Sequence, residues 1–314
     1  MSELKSKKVV ALGGGHGLAA TLRALRGITN NITAIVTVAD NGGSSGRLRE
    51  EFHMLPPGDL RMALAALCGD DEWGRSWAEI MQYRFTSDGP MDGHAVGNLL
   101  LTALWDKDGD PVSGLNRVAQ LLKVVGQVLP MAIEPLDIEG TFNTTIGRKI
   151  IRGQIEVATA KGKLESLSLI PKNPTPTSEG LQAIAEADWI TIGPGSWFSS
   201  VLPHFLVSQQ LAAIVASPAK KLVLLNLDAS PAIHGEEFAG NSPAEHLEIL
   251  HKYAPSFHCD VALADRSVVN DKNELADVVT RLGGQLVIGD LAAPGSLHHD
   301  SKKLTSVISH IFSS

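Results

Sequence analysis

The stretch Lys8-Val9-Val10-Ala11-Leu12-Gly13-Gly14-Gly15-His16-Gly17-Leu18-Ala19-Ala20-Thr21-Leu22-Arg23-Ala24-Leu25 decides the fold. A short apolar run meets a glycine cluster, and apolar residues at helical spacing begin on its far side. A buried strand that feeds a tight turn and then a helix has this texture. Counted from Gly15, the spacing is G-x-G-x-x-A through Gly17 and Ala20, the form of phosphate-binding turns in doubly wound folds. Glycines let backbone approach an anion, and the free N–H groups at a helix start carry partial positive charge. The same spacing also fits a glycine-rich turn with no ligand.

Working outward, Gly27 is a natural stop for the helix, and Ile32-Thr33-Ala34-Ile35-Val36-Thr37-Val38 reads as a second strand. Strand, helix and strand at this spacing predict a right-handed unit with a parallel pair. Helical patterns follow over Leu60 to Leu67, Trp73 to Tyr83, Val96 to Trp105 and Leu115 to Val125. From about 128 to 172 the texture becomes alternating and β-branched. Ile150 to Val157 and Leu164 to Leu169 read there as antiparallel strands about a turn at Lys161-Gly162-Lys163. Parallel-sheet texture returns at Ala187 to Ile192, Leu222 to Leu225, Cys259 to Ala264 and Gln285 to Ile288, before a last helix from Lys302 to about Phe312. The expected fold is a single α/β domain over 1–314. It has a Rossmann-like, mainly parallel sheet with helices on both faces and an inserted antiparallel β-hairpin region.

The chain has 314 residues, enough for one large core, and its net charge of −7 argues against nucleic acid as a partner. The two cysteines, Cys68 and Cys259, are far apart and lack metal-ligand spacing, so a reduced, cytoplasmic protein is expected. No apolar run reaches spanning length, so no membrane insertion is expected.

Candidate site residues gather at the predicted strand ends, where open α/β sheets bind ligands. Asp40 follows the second strand at the distance where an acid can hold ribose hydroxyls, and it equally fits a turn or cap. Beside Asn41, the run Gly42-Gly43-Ser44-Ser45-Gly46-Arg47 reads as a loop offering N–H groups, hydroxyls and a guanidinium to a phosphate or sugar. That run also satisfies G-x-S-x-G with Ser44 as nucleophile, but Ala39 to Asn41 separate it from the strand that a hydrolase elbow requires. Asp59, in Pro56-Pro57-Gly58-Asp59-Leu60-Arg61, reads as a helix cap or a catalytic carboxylate. Gly193-Pro194-Gly195-Ser196 forms a second anion cradle. Two cradles on one sheet suit a diphosphate lying between Gly13–Gly17 and Gly193–Ser196. His94 and Asn98 are placed to share a helix face, and no zinc spacing occurs among the eleven histidines.

Several of these runs together resemble the gluconeogenesis-factor (YvcK-like) proteins of the CofD-like superfamily. They are Gly13 to Gly17, Thr37 to Arg49, Pro56 to Arg61, Gln82 to Phe85, Gly93 to Leu99 and Gly193 to Ser196, with a weaker echo at His299 to Leu304. The resemblance implies binding of a UDP-sugar, notably UDP-N-acetylglucosamine. It also implies a regulatory role linking gluconeogenic carbon metabolism to cell-wall synthesis and cell shape, with cell-wall regulatory proteins and a second copy of the chain as partners. The superfamily's 2-phospho-L-lactate transferases imply the alternative: magnesium and transfer of a phospho-ester group from a nucleoside diphosphate carrier, with Asp40 and Asp59 as catalytic carboxylates. Three positions depart from the family pattern. His16 stands for threonine, Asn41 for aspartate, and Asn226 to Glu236 keeps only Asn226 and Pro231 of the usual run. A dehydrogenase fits the first turn alone and sits poorly with the glycine-serine run beside Asp40.

Overall fold

The computed structural model describes residues 2–227 and 242–314. Among the described residues, ten strands form in chain order: β1 Lys8–Gly13, β2 Asn31–Val36, β3 Gln127–Pro130, β4 Asp137–Thr144, β5 Gly147–Arg152, β6 Lys163–Ile170, β7 Trp189–Ile192, β8 Lys220–Leu224, β9 Val261–Asp265 and β10 Gln285–Gly289. Seven make one sheet in the order β10-β9-β8-β7-β1-β2-β3, with every adjacent pair parallel. Val9, Val10, Ala11 and Leu12 are all buried. This is why β1 reads as a continuous apolar run: parallel strands flank it and helices cover its faces.

The chain steps from β1 to β2 in one direction and from β7 to β8 in the other. Right-handed crossovers therefore put helix Gly15–Arg26 and helix Ser208–Ala216 on opposite faces. The order reverses between β1 and β7, and the two glycine turns leave these neighbouring strands side by side at the switch point. Helix Gly15–Arg26 buries Leu18, Leu22 and Leu25, worth about 2 kcal/mol each. It packs against helices Gly58–Leu67 and Ser301–Ser313.

The insertion differs from its sequence reading. The strand expected over Ile150 to Val157 is β5, followed by a short helix, Gln154–Ala158. Gly153, at φ +111°, breaks the extended chain between them. β5 and β6 do not pair with each other; both flank β4, a strand the sequence reading did not resolve. β4 buries Ile138, Gly140 and Phe142 on alternate positions and leaves polar residues between them, so its apolar signal is short. The segment 42–47 is also helical rather than a loop, in helix Gly43–Phe52. Gly43 supplies the positive φ, +49°, at the helix start.

Candidate functional site

Three helix N-termini meet beyond the ends of β1 and β2. They belong to Gly15–Arg26, Gly43–Phe52 and Gly58–Leu67, and each contributes N–H groups with no acceptor within the helix and a partial positive charge. A Cβ on Gly14 would stand 2.5 Å from both Asp59 Oδ2 and Thr37 Cγ2, and 3.0 Å from Ser200 Oγ. A Cβ on Gly58 would stand 2.2 Å from Ser45 Oγ and 3.2 Å from Asp40 Oδ2. The close approach of these backbones is what the glycines permit.

Two carboxylates sit at this junction. Asp40 Oδ1 accepts from the Gly42 N–H at 2.8 Å. Burial raises the Asp40 pKa, opposed by the Gly42 N–H, the Ser45 hydroxyl, Arg49 and Arg84. Asp59 lies in the first turn of its helix but makes no side-chain cap, because its carboxylate turns to the glycine turn and takes the Gly15 N–H. Burial first, then the Asp40 charge, push the Asp59 carboxyl up to about 7. One of the pair therefore exchanges a proton near neutral pH.

The second turn meets the first directly. A Cβ on Gly17 would be 2.2 Å from the Pro194 carbonyl oxygen. Thr21 Oγ1 donates to the Gly193 carbonyl at 3.1 Å. Asn226 Oδ1 accepts from the Gly195 N–H at 3.0 Å while Asn226 Nδ2 donates to the Gly195 carbonyl at 2.9 Å. Ser196 caps the segment that follows, accepting from the Ser199 N–H. Pro194 thus packs on the first turn, and the Gly195 N–H belongs to Asn226. The run after Leu227 that departs from the family pattern, 228–236, lies outside the described residues.

The remaining predicted residues divide. Asn98 Nδ2 donates to Ser44 Oγ at 2.9 Å, and Ser44 Oγ stands 3.0 Å from His94 Nδ1. His94 precedes the helix that begins at Val96, so it reaches Ser44 from a loop rather than from a shared helix face. Asn41 turns to the insertion: its Oδ1 accepts from the Gln154 N–H at 3.1 Å and its Nδ2 donates to Glu156 at 3.3 Å. An aspartate at 41 would repel Glu156. Arg47 donates to the carbonyls of Pro90 at 3.1 Å and Asp92 at 2.5 Å, bracing the loop before Val96. A cleft of about 1300 Å³ opens on this side, touching Asn41, Gly43, Ser44, Arg47 and Arg84.

Sequence reading missed Arg61, Thr37, His204 and His298. Arg61 is buried and donates to Asn98 Oδ1 at 2.8 Å and to Gln82 Oε1. Burial and Arg84 lower its pKa to about 10, opposed by Asp59. Thr37 Oγ1 donates to the Ser199 carbonyl at 2.8 Å, joining the strand end to the second turn's segment. His204 lies beneath the first turn, 3.4 Å from the Gly13 carbonyl, and burial lowers its pKa to about 4. The His16 ring lies 6.4 Å from that of His298. Burial, His298 and three arginines lower the His16 pKa, which keeps it neutral at pH 7. Arg61 and Thr37 lie in runs whose other residues were singled out; His204 and His298 are brought in by tertiary packing. Among the described residues, no three His, Cys, Asp or Glu side chains cluster as a metal site.

Comparison with known proteins gives a consistent result. The family model described as 2-phospho-L-lactate transferase CofD matches residues 9–291. A Mycobacterium tuberculosis protein is 44% identical, covering 96% of this chain and 89% of its own length. The gluconeogenesis factor of Halalkalibacterium halodurans is 38% identical, over 85% of this chain and 78% of its own. A crystal structure of a UPF0052-family protein from Bacillus halodurans superposes with a TM-score of 0.85 at 33% identity, covering 99% of each chain.

Proposed function

This chain belongs to the CofD family and to the gluconeogenesis factors within it, and on that premise we propose that it is a cytoplasmic regulator that binds a nucleotide sugar. The ligand is of the UDP-N-acetylglucosamine type, and its occupancy reports carbon supply to cell-wall synthesis and cell shape. The observation that carries this reading is the convergence of three helix N-termini on Asp40 and Asp59. The helix starts offer N–H groups to a diphosphate, and Asp40 offers an acceptor to ribose hydroxyls. The diphosphate would lie on the first turn's open side, toward Ser45 and Asp59, because the second turn packs against Gly17.

The test is a thermal-shift and calorimetry panel of UDP-N-acetylglucosamine, UDP-glucose, GDP, NAD and NADP, each with and without magnesium. A ligand of the native state raises its apparent stability by mass action. Selective stabilisation by UDP-sugars is expected, and Asp40→Ala should weaken it about tenfold, the scale of a lost charge-assisted bond. Unchanged affinity removes Asp40 from the site, and silence across the panel sinks the reading.

The raised pKa of Asp59 favours a second reading, a transferase moving a phospho-ester group to an acceptor alcohol. Its family implies magnesium, and Asp40 fits an ion that completes its shell with phosphate oxygens and water. Bound there, magnesium would offset charge on the departing diphosphate. Asp59 would take the acceptor's proton at its carboxylate, held in place by the Gly15 N–H. Magnesium-dependent release of free nucleoside diphosphate would establish turnover; a regulator releases none.

A further inference from the structure

The opposite end of helix Gly15–Arg26 carries a different feature. Arg23 and Arg26 stand one turn apart there and face Arg75 and Lys302 across a cleft of about 350 Å³. Arg26 is spoken for: it pairs with Asp70 and donates to the carbonyls of Ala66 and Cys68. Arg75 bonds the Asp70 backbone carbonyl. Among the described residues, Arg23, Arg75 and Lys302 have no carboxylate within ion-pair distance. Asp70, the carboxylate lining the cleft, is thus taken by one of four cations. Like charges a turn apart on a helix oppose folding, so this arrangement holds a cost that an anion would remove.

We propose that this cleft is a second anion site, separate from the glycine turns, and that its ligand is a small phosphomonoester. Three cations without a carboxylate partner, Arg23, Arg75 and Lys302, converge from three helices and match the charge and the three acceptor oxygens of a phosphate. The volume suits a phosphorylated metabolite of a few carbons and is small for a nucleotide sugar. Ala65, Ala66, Gly69 and Gly74 leave its floor clear of bulky side chains. Arg23 is exposed as a residue, but partial desolvation of its guanidinium in the cleft and the Arg26 charge lower its pKa, the direction a bound anion reverses. Gln82 on the wall also holds Arg61, which bonds Asn98, which bonds Ser44. A continuous hydrogen-bond chain thus joins the cleft to the neighbourhood of the first site.

The test is calorimetry at low ionic strength with glycerol 3-phosphate and inorganic phosphate as probes and glycerol as control. The proteins are the wild type, the Arg23→Gln/Lys302→Gln double variant and Asp40→Asn. Both phosphates should saturate one site in the wild type and Asp40→Asn alike, at least tenfold more weakly in the double variant. Both altered cations are exposed, so the double variant should fold, which circular dichroism checks. Equal affinity in the wild type and the double variant would overturn the proposal. So would tighter binding in Asp40→Asn, where a carboxylate no longer repels a phosphate held at the glycine turn, or no saturable heat up to about 10 mM. A phosphoserine peptide binding as tightly as glycerol 3-phosphate would assign the cleft to a macromolecule and overturn the small-molecule assignment. Failure of the UDP-sugar panel leaves this outcome unaffected, because the two experiments read different residues.

Discussion

The two ends of helix Gly15–Arg26 are electrostatic opposites. At its N-terminus the backbone's own positive end meets two carboxylates, Asp40 and Asp59, and burial first, then the Asp40 charge, lets Asp59 hold a proton to about pH 7. At its C-terminus the negative end of the helix dipole meets Arg23 and Arg26, as the dipole favours. There the excess is of cations, on an open cleft rather than in a packed turn. A helix dipole accounts for one compensating charge at each end. The second cation at the C-terminal end exceeds that compensation and calls for an anion, whereas at the N-terminal end three helix starts share two carboxylates and keep N–H groups for a ligand. The N-terminal end is also the tightly built one. Its glycines touch backbone and carboxylate, while Gly27 touches only the side chain of Thr305 and the helix's last turn.

The sharpest break of that contrast is steric. Gly17→Ala would drive a Cβ to 2.2 Å from a backbone carbonyl that cannot swing away. It should cost on the order of 3 kcal/mol or more, the upper range for overpacking. Gly27→Ala, with its nearest neighbour a Thr305 methyl at 2.9 Å and an ordinary φ of −69°, should cost about 1 kcal/mol. Urea unfolding of the two variants decides it; equal costs would mean the two turns are not rigidly packed.

The carboxylate pair gives the next largest effect. The folded state holds the Asp59 proton up to about pH 7, whereas the unfolded chain releases it near 3.8. Between those values the native state binds more protons, so Asp59 makes stability fall as pH rises. Asp59→Asn removes that slope. It should be more stable than the wild type at pH 8 by on the order of 2 kcal/mol, with the gain vanishing near pH 4. Thermal unfolding from pH 4 to 8 measures it, and parallel profiles for the two proteins would show that Asp59 is not desolvated by the turn.

How much of this was readable beforehand follows from where each signal lives. The glycine spacing, the apolar run of β1 and the return of parallel texture after 187 are local, and the sheet with its switch point follows from them. Asp40 and Asp59 could each be picked out, but their coupling could not, since nineteen positions and a helix separate them. Asn41 looked like a lost carboxylate; its partners, Gln154 and Glu156, lie in the insertion. β4 was hidden because its alternation has one buried glycine among its inward positions. The Arg23 cleft was invisible in principle: Arg75 and Lys302 come from distant helices, and no motif marks their meeting.

The smallest effect tests the other end of the helix without any ligand. Arg23 is exposed, and among the described residues it has no carboxylate to lose. A surface substitution of this kind ordinarily changes stability by within about 0.5 kcal/mol. Here the sign follows from the partial desolvation of the Arg23 guanidinium and then from Arg26, both of which disfavour its charge. Arg23→Gln should therefore leave stability unchanged or raise it slightly in dilute buffer, and the difference should shrink as salt screens the repulsion. In phosphate buffer the order should reverse, because only the wild type gains from occupancy of the cleft. Melting both proteins across sodium chloride and sodium phosphate at matched ionic strength separates screening from binding. A variant less stable than the wild type in dilute chloride would mean that Arg23 is held by an attraction, and the opposition between the helix ends would fail at its C-terminal side.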